Sequence, residues 1–307
     1  MILLLESLHP EAEALLAQAG DLLRATDPNE PPADLARVRA ILTRGRGQIR
    51  ETLLARCPAL KVIARAGAGL DNLDTAAAAR RGITVVYAPG ANTNTVAEHT
   101  LGLMIDLARG ISRDARAVAA GRWDERARYA GDELGGLTLG IVGFGSIGKR
   151  VAQLAEAFGL RVIVAAHAGM QAKFLSLPLH ELLAASDIVS LHVPLTPATR
   201  KMLGAAEFAC MKRGALLVNT ARGALIDMPA LRAALASGAL RGFAADVLDV
   251  EPPAADEPLL ALPNVLLTPH VASLTAATYR SLCLSTAANV VHVLRGEPPE
   301  PRSVFRG

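Results

Sequence analysis

The sequence predicts an α/β protein with two domains, each built on a parallel sheet. The chain has 307 residues, of which 51% are hydrophobic, so it is long enough for two domains with sizeable cores. Short apolar runs alternate with helical segments in both halves of the chain. This alternation is typical of βαβ units, whose parallel strands are joined by helices.

The first 90 residues contain the first set of alternating elements. Apolar runs predict strands at 2–5, 40–43, 62–64 and 83–86. Helical patterns lie between them, at 11–18, 48–56 and 75–81. A longer pattern with apolar residues at helical spacing then predicts one helix over 95–120. A helix of that length either bridges two domains or forms a subunit contact, and the spacing favours neither.

The alternation resumes at residue 137. Strands are predicted at 139–142, 161–164, 188–192, 215–219, 242–247 and 265–268, and helices at 146–158, 179–184 and 229–236. A helix over 275–294 closes the pattern. Six strands with helices between them match the size of a dinucleotide-binding fold.

A glycine-rich turn joins the first strand and the first helix of this second half. Residues 143–148 have the G-x-G-x-x-G spacing of dinucleotide sites, with Ser146 and Ile147 before the last glycine. In such a site Gly143 makes the tight turn, Gly145 lets the backbone approach the pyrophosphate, and Gly148 lets the helix pack closely on the strand. The helix N-terminus offers N–H groups to the phosphates. The flanking elements favour a bound dinucleotide over a plain structural turn, and the predicted fold class is two Rossmann-like, doubly wound domains.

Composition argues against several classes of function. The net charge is only +3 and the arginines are scattered, so neither nucleic acid nor an anionic membrane is an expected partner. Three distant cysteines without a C-x-x-C pair indicate reduced thiols, and we expect no metal. The apolar residues 1–5 have no basic flank, which indicates a strand rather than a signal peptide. No stretch has the length of a membrane span, and we expect a cytoplasmic protein.

Three predicted strand ends carry groups suited to chemistry on a small acid. At the first, Arg222 could clamp a carboxylate or be an ordinary surface arginine. At the next, Asp246, Asp249 and Glu251 could form an acidic loop rim, or one of them could orient a histidine. At the last, His270 could exchange a proton near neutral pH, although a lone histidine is more often structural. Ligands of open parallel sheets bind outside the carboxyl ends of the strands, so the three ends together favour a site.

Motifs along nearly the whole chain occur in one characteristic order. They are RAGAGLDN at 65–72, NTVAEHT at 94–100, the glycine turn, HVPLT at 192–196, NTARG at 219–223, the acidic stretch 246–252 and TPH at 268–270. This set resembles the D-isomer-specific 2-hydroxyacid dehydrogenase family, the group that includes D-3-phosphoglycerate dehydrogenase and the glyoxylate/hydroxypyruvate reductases.

The resemblance implies an oxidoreductase that moves a hydride between NAD(P) and a D-2-hydroxy or 2-keto acid. His270 would be the acid/base that exchanges a proton with the substrate oxygen. Glu251 would hydrogen-bond the imidazole, and Arg222 would bind the substrate carboxylate. Further substrate contacts are implied at Arg65, Ala68 and Gly69.

The resemblance also implies a domain division. Residues 1–98 plus 284–307 would form a discontinuous substrate-binding domain, and 99–283 would bind the dinucleotide, with the active site in the interdomain cleft. Beyond the glycine turn, cofactor contacts are implied at His167, His192, Pro194, Thr220 and Asp246, the last against the nicotinamide amide. Members are typically homodimers joined partly through the region of the long helix.

Two positions depart from the family pattern. The acidic residue expected for the ribose 2′-OH, about 20 residues after the turn, is replaced by Ala166. Without that carboxylate a 2′-phosphate is not repelled, and His167 lies where NADP-using relatives often carry a cation. The cofactor is therefore NAD or NADP, with a slight lean towards NADP. Tyr87 stands where asparagine is common, and no consequence follows from the sequence.

One alternative comes from another class of function. The C-terminal-binding corepressors share the fold and the same three residues, so an NAD(H)-sensing binding protein is the second hypothesis, although we expect no disordered tail here. Within the family, Glu251 argues against the formate dehydrogenase type, which has glutamine there, and the pair 273–274 lacks the aromatic residues of the D-lactate type. We expect no appended regulatory domain. The RAGAGLDN motif favours the phosphoglycerate branch, yet the acid itself, 3-phosphoglycerate, hydroxypyruvate or glyoxylate, stays open.

Overall fold

The computed structural model describes residues 1–165 and 173–306. The chain divides into two compact units, Met1–Asn92 with Ser273–Gly307 (unit 1) and Thr93–Ala272 (unit 2). Both boundaries precede those predicted from the sequence, at 98/99 and 283/284. The reason is that each boundary lies just ahead of a helix, and each helix belongs as a whole to the unit that follows the boundary.

Unit 1 is a parallel sheet covered by helices on both faces. Within its described residues the strand order is β2-β1-β3-β4-β5, and every pairing between these strands is parallel. The strands are β1 (Ile2–Leu4), β2 (Leu22–Arg24), β3 (Ala40–Thr43), β4 (Val62–Arg65) and β5 (Thr84–Val86). The helices are α1 (Pro10–Ala17), α2 (Glu51–Ala55), α3 (Thr75–Arg80) and α10 (Ala276–Arg295).

Alternation along the strands of unit 1 feeds two separate cores. Ile2 and Leu4 pack with α1 and α10, whereas Leu3 packs with α2 and α3 on the opposite face. Because side chains of a strand alternate between faces, a strand buried on both faces is apolar throughout, as the run Ile2–Leu4 is. The same arrangement places the carboxyl ends of β1, β3 and β4 along one edge of the sheet.

Unit 2 is a larger parallel sheet of the same kind. In the described residues its order is β12-β11-β10-β9-β6-β7-β8. The strands are β6 (Thr138–Val142), β7 (Arg161–Ala165), β8 (Leu175–Ser176), β9 (Ile188–Leu191), β10 (Ala215–Asn219), β11 (Leu240–Ala245) and β12 (Val265–Leu267). The helices are α4 (Thr93–Arg109), α5 (Ile111–Ala119), α6 (Ser146–Ala157), α7 (Leu179–Ala185), α8 (Ala205–Cys210) and α9 (Met228–Ala236).

Here too each face of the sheet has its own helical layer. One core joins the strands to α4 and α6, and the other joins them to α7, α8 and α9. The predicted α/β class with parallel sheets in both halves is confirmed. Every predicted strand lies within two residues of an observed one, but β2, β8 and α8 were not predicted because runs of two to six residues carry little periodicity.

The predicted single helix over 95–120 is wrong. The structure has two helices, α4 and α5, separated by Gly110, whose φ of +70° is left-handed and favours glycine. The carboxylate of Asp106 accepts a hydrogen bond from the backbone N–H of Ser112 at 2.7 Å and so caps the start of α5. The apolar spacing continues through the break, which is why periodicity did not reveal it.

Candidate active site

The glycine turn lies where the strand order of unit 2 reverses. β6 has β7 on one side and β9 on the other, so Gly143 after β6 and His192 after β9 follow neighbouring strands. In open parallel sheets this switch point is where ligands bind. Gly143 has φ +98°, and a β-carbon there would lie 2.6 Å from the carbonyl oxygen of His192. A β-carbon at Gly148 would overlap the carbonyl oxygen of Gly143.

Gly145 differs from the other two glycines of the turn. It is the N-cap of α6 and makes no side-chain capping hydrogen bond, and a β-carbon there would have no atom within 4 Å. Gly143 and Gly148 are therefore required by backbone packing, while Gly145 keeps space open beside the helix N-terminus. That space and the uncapped N–H groups fit the pyrophosphate of a dinucleotide.

His270 and Glu251 form a hydrogen-bonded pair. His270 Nδ1 lies 2.7 Å from Glu251 Oε2, and Glu251 Oε1 accepts the backbone N–H of Leu248 at 2.8 Å. Partial burial raises the pKa of Glu251, but the hydrogen bonds from His270 and Leu248 and the positive charge of Arg222 outweigh it. The pKa of Glu251 therefore lies below its ordinary value, and the carboxylate is ionised at neutral pH.

The segment that carries His270 is held in an unusual conformation. His270 has φ +54°, which a non-glycine residue rarely adopts, and its N–H donates to the carbonyl oxygen of Asp246 at 3.0 Å. The Asp246 carboxylate is 1% exposed and accepts the hydroxyl of Thr268 and the N–H groups of Val271 and Ala272, at 2.6 to 2.9 Å. These bonds offset the backbone strain and fix the direction of the imidazole.

Arg222 is brought to the same edge by packing between loops. Its carbonyl oxygen accepts Asn219 Nδ2 at 2.8 Å, which ties the loop to the end of β10. A β-carbon at Gly223 would overlap the backbone of Leu248, so only glycine lets this loop touch the loop that leads to Glu251. The three predicted catalytic residues thus lie at neighbouring strand ends, with Arg222 close enough to lower the pKa of Glu251.

The predicted cofactor residues occupy several environments. His192 is half-buried, its Nε2 lies 2.8 Å from Ser190 Oγ, and burial lowers its pKa to about 4. Pro194 is exposed beyond the same strand. Thr220 hydrogen-bonds Thr100 on α4 at 2.8 Å between the hydroxyl oxygens. The positions that bear on the 2′-group, Ala166 and His167, lie outside the described residues.

The carboxyl edge of unit 1 has a different character. Glu6, after β1, accepts the N–H groups of Arg44, Gly45 and Arg46 at 2.8 to 2.9 Å. Its pKa is raised by burial but lowered more by these bonds, so it is ionised. The Arg44 guanidinium lies 5.4 Å from the centre of the Tyr279 ring. Arg44 was not singled out in the sequence, because nothing before the fold marks it as a neighbour of Arg65.

Arg65, the last residue of β4, lies beside the Arg44 loop. β3 and β4 are neighbours, with Thr43 paired to Arg65, and a β-carbon at Gly45 would be 3.1 Å from Arg65 Nη2. Arg65 Nη1 donates to the carbonyl oxygen of Gly69. Within the described residues, the N–H groups of Ala68 and Gly69 donate no hydrogen bond. This edge combines two guanidinium groups with backbone donors, an arrangement suited to anions.

Comparison with known proteins points to one family. Residues 101–272 match the family model described as D-isomer specific 2-hydroxyacid dehydrogenase, NAD binding domain. The chain is 39% identical to a D-3-phosphoglycerate dehydrogenase of Methanocaldococcus jannaschii over 97% of its own length and 58% of that protein. It is 38% identical to a glyoxylate reductase of Aeropyrum pernix over 94% of its length and 91% of that protein.

A solved structure shows the same likeness. The crystal structure of TT0316 protein from Thermus thermophilus superposes with a TM-score of 0.92 at 36% identity, and 99% of each chain is covered. The curated phosphoglycerate dehydrogenases that the chain matches are longer, and the chain spans between 49% and 58% of three of them. No described helix has the length and apolar character needed to cross a membrane.

Proposed function

The chain belongs to the D-isomer specific 2-hydroxyacid dehydrogenase family, and we propose that it is an NAD(P)-dependent D-2-hydroxyacid dehydrogenase. The observation that carries this proposal is the His270–Glu251 pair, placed with Arg222 on the sheet edge that also holds the glycine turn. His270 can exchange a proton, Glu251 can orient the imidazole, and Arg222 can bind a carboxylate.

His270 acts as the acid/base. Its Nδ1 is engaged by Glu251, so Nε2 is the nitrogen that exchanges a proton with the substrate oxygen. The ionised Glu251 fixes the tautomer and stabilises the imidazolium form that donates the proton in reduction. The nicotinamide of the bound dinucleotide supplies or accepts the hydride.

Arg222 binds the substrate carboxylate. A guanidinium presents two parallel N–H donors that match the two oxygens of a carboxylate, and such pairs fix orientation as well as adding affinity. Its place beside Glu251 would put the carboxylate and the keto carbon next to His270. Further contacts to the acid are proposed at Arg65 and the backbone N–H groups of Ala68 and Gly69.

The substrate is proposed to carry a second anionic group, as 3-phosphohydroxypyruvate and 3-phosphoglycerate do. Arg44 follows β3, and Arg65 is the last residue of the neighbouring strand β4. The nearby Glu6 carboxylate accepts the backbone N–H groups of the Arg44 loop through Oε2, and its Oε1 lies 3.4 Å from Arg44 Nη2, so it also holds the Arg44 guanidinium at this edge. Two guanidinium groups at one sheet edge suit a phosphate better than the neutral end of glyoxylate.

The cofactor is proposed to be NAD or NADP, bound by the glycine turn, Ser146 and Ile147, with His192, Pro194, Thr220 and Asp246 beside it. The family model that matches is an NAD binding domain. Ala166 stands where an acidic residue is expected, so no negative charge at this position repels a 2′-phosphate. This favours NADP slightly. A titration with both cofactors that shows strong preference for NAD would contradict this.

The protein is proposed to form a homodimer through α5 and the following 3-10 turn Trp123–Arg128. Four large apolar side chains are exposed there: Ile111, Val118, Trp123 and Tyr129, at 45% to 70%. Such a concentration is typical of a subunit contact. Light scattering should find a dimer that the double substitution Val118→Asp, Trp123→Asp converts to monomer. Phe158→Asp, at an exposed apolar residue elsewhere, should leave the dimer intact.

A reductase screen tests the proposed function. Purified protein is assayed with glyoxylate, hydroxypyruvate and 3-phosphohydroxypyruvate, each with NADH and with NADPH. We expect turnover, highest with the phosphorylated acid. Tight NAD(H) binding without turnover of any of the three would instead support the NAD(H)-sensing binding protein.

A further inference from the structure

Two consecutive residues on α4 hydrogen-bond to the two loops that carry the proposed active site. His99 Nε2 lies 3.0 Å from Thr268 Oγ1, two residues before His270. Thr100 Oγ1 lies 2.8 Å from Thr220 Oγ1, two residues before Arg222. The partners are 169 and 120 residues apart in sequence, so these contacts exist only in the folded unit.

The direction of the hydrogen bond between His99 and Thr268 follows from the single proton of the Thr268 hydroxyl. The Thr268 hydroxyl has one proton and donates it to Asp246 Oδ1 at 2.6 Å. Its oxygen can then only accept from His99, so His99 carries its proton on Nε2. His99 Nε2 also lies 3.7 Å from Asp246 Oδ1. The result is a chain of donors that ends on the carboxylate that clamps the His270 segment.

The segment needs this clamp because of its backbone. With φ +54°, His270 is in a left-handed region that is unfavourable for a non-glycine residue. The hydroxyl of Thr268 and the N–H groups of Val271 and Ala272 all donate to one carboxylate, that of Asp246, and so hold the turn together. Without the N–H donor of His99, the Thr268 side chain can rotate. The strained turn then loses the hydrogen bond that ties it to α4.

The second contact works in the same way on the other loop. The Thr100 hydroxyl donates to the carbonyl oxygen of Val96 at 2.7 Å within α4, so its oxygen accepts from Thr220. Thr100 is fully buried, and the contact is shielded from water. One helical turn therefore supports both loops, the one with the acid/base and the one with the carboxylate-binding arginine.

We propose that His99, acting through Thr268, is a positioning residue that sets the direction of the His270 imidazole for proton transfer. The inference rests on the proposed function, because an effect on kcat requires that the protein is a dehydrogenase. His99 does not touch the reacting atoms; it supplies one N–H donor to the hydroxyl that holds the His270 turn. Its effect is on the proton-transfer step, so it acts on kcat and not on the binding of cofactor or substrate.

Paired substitutions separate the donor from the bulk of the side chain. His99→Leu removes the N–H, while His99→Gln places an amide N–H near the position of Nε2. Misplacing a catalytic group by a fraction of an ångström lowers the rate, so we expect kcat of His99→Leu to fall about tenfold or more. Substrate KM and the cofactor Kd should stay within about twofold of the wild type, and His99→Gln should recover most of the lost kcat.

A second pair changes the other end of the same contact. Thr268→Val keeps the shape and removes the hydroxyl, whereas Thr268→Ser keeps the hydroxyl. The valine variant should lose at least as much kcat as His99→Leu, because it also removes the hydroxyl that donates to Asp246, and the double variant should lose no more than Thr268→Val alone, because His99 donates to that same hydroxyl. His180→Leu, at an exposed histidine on α7, is the control and should behave as the wild type.

The inference is overturned if His99→Leu keeps the wild-type kcat, if His99→Gln is equally impaired, or if the loss of kcat follows a loss of cofactor binding. Should the wild type reduce none of the keto acids, the proposed function fails, and NMR tests the positioning separately. The Nδ1 proton shared by His270 and Glu251 should give a downfield signal in the wild type and in His99→Gln. It should broaden or disappear in His99→Leu, and an unchanged signal in that variant contradicts the proposal.

Discussion

The two units are built on the same plan and differ in what stands at the carboxyl ends of their strands. In unit 1 that edge carries Arg44 and Arg65, with Glu6 held by backbone N–H groups. In unit 2 it carries an uncapped helix N-terminus at Gly145 and the His270–Glu251 pair. The first edge can bind anions, and the second can in addition exchange a proton.

The two sheets are alike, so the chemical difference between the units lies in the loops at their strand ends. A parallel sheet provides an edge at which loops meet, but it does not decide what the loops do. In unit 1 the carboxylate is used to order the Arg44 loop itself. In unit 2 the Glu251 carboxylate is directed at an imidazole, and a second carboxylate, Asp246, fixes the backbone beneath it.

The largest expected effect comes from removing His270, the proposed acid/base of unit 2. His270→Ala should lower kcat/KM about 10³- to 10⁴-fold, since general acid–base catalysis by a positioned side chain contributes up to that amount. Cofactor affinity, measured by fluorescence titration, should be unchanged because the imidazole is bound to Glu251 and not to the glycine turn. Substantial remaining turnover would mean that another group moves the proton.

The next effect probes the edge of unit 1 that is proposed to bind a phosphate. Arg44→Ala should lower kcat/KM for 3-phosphohydroxypyruvate about 10- to 100-fold, the value of a charge-assisted contact to phosphate, with little change for glyoxylate. Arg37→Ala is the matched control, because Arg37 is an exposed arginine that precedes β3. Equal losses with both acids would show that Arg44 acts on the fold or on the shared carboxylate.

Two glycines of the same turn should respond differently to one methyl group. Gly148→Ala should lower the free energy of unfolding by about 1 to 3 kcal/mol, because the new β-carbon overlaps the Gly143 carbonyl. Gly145→Ala has space and should keep the stability of the wild type, yet weaken cofactor binding about tenfold by filling the cradle. Urea unfolding measures the free energy of unfolding of both variants, and cofactor titration measures their cofactor affinity. A stability loss at Gly145 equal to that at Gly148 would contradict this division.

The smallest effect is a pH dependence of stability that belongs to unit 2. The pKa of His192 is about 4 in the folded chain and 6.5 when exposed, so the unfolded chain binds the extra proton between these values. Stability is therefore full above pH 6.5 and falls as the pH drops towards 4, by about 1 to 2 kcal/mol after allowance for partial exposure of the ring.

Urea unfolding at pH 7.5 and 5 measures this dependence, and His192→Gln should flatten it. These two pH values are chosen because the pKa values of Glu6 and Glu251 are both lowered, so the stability that these carboxylates contribute is lost only below pH 5. An equal slope in both proteins would assign the effect to other groups.

Much of the fold could be predicted because its signals are local. Strands such as β3 and β10 are continuous apolar runs between turn residues, and their observed bounds equal the predicted ones. The break at Gly110 escaped because the apolar spacing of α4 continues in phase into α5. Short elements such as β8 escaped because two exposed residues form a strand only when a neighbouring strand pairs with them.

Sequence alone predicts the α/β class, the glycine turn with its three distinct glycines, and the residue types needed for acid/base chemistry. These are properties of neighbours along the chain, or of a resemblance read from motifs. Only the tertiary structure decided that Arg44 lies beside Arg65, that the Asp246 carboxylate turns inward onto the His270 segment, and that His99 reaches Thr268. Strand register and helix packing set those distances, and both depend on contacts between residues far apart in sequence.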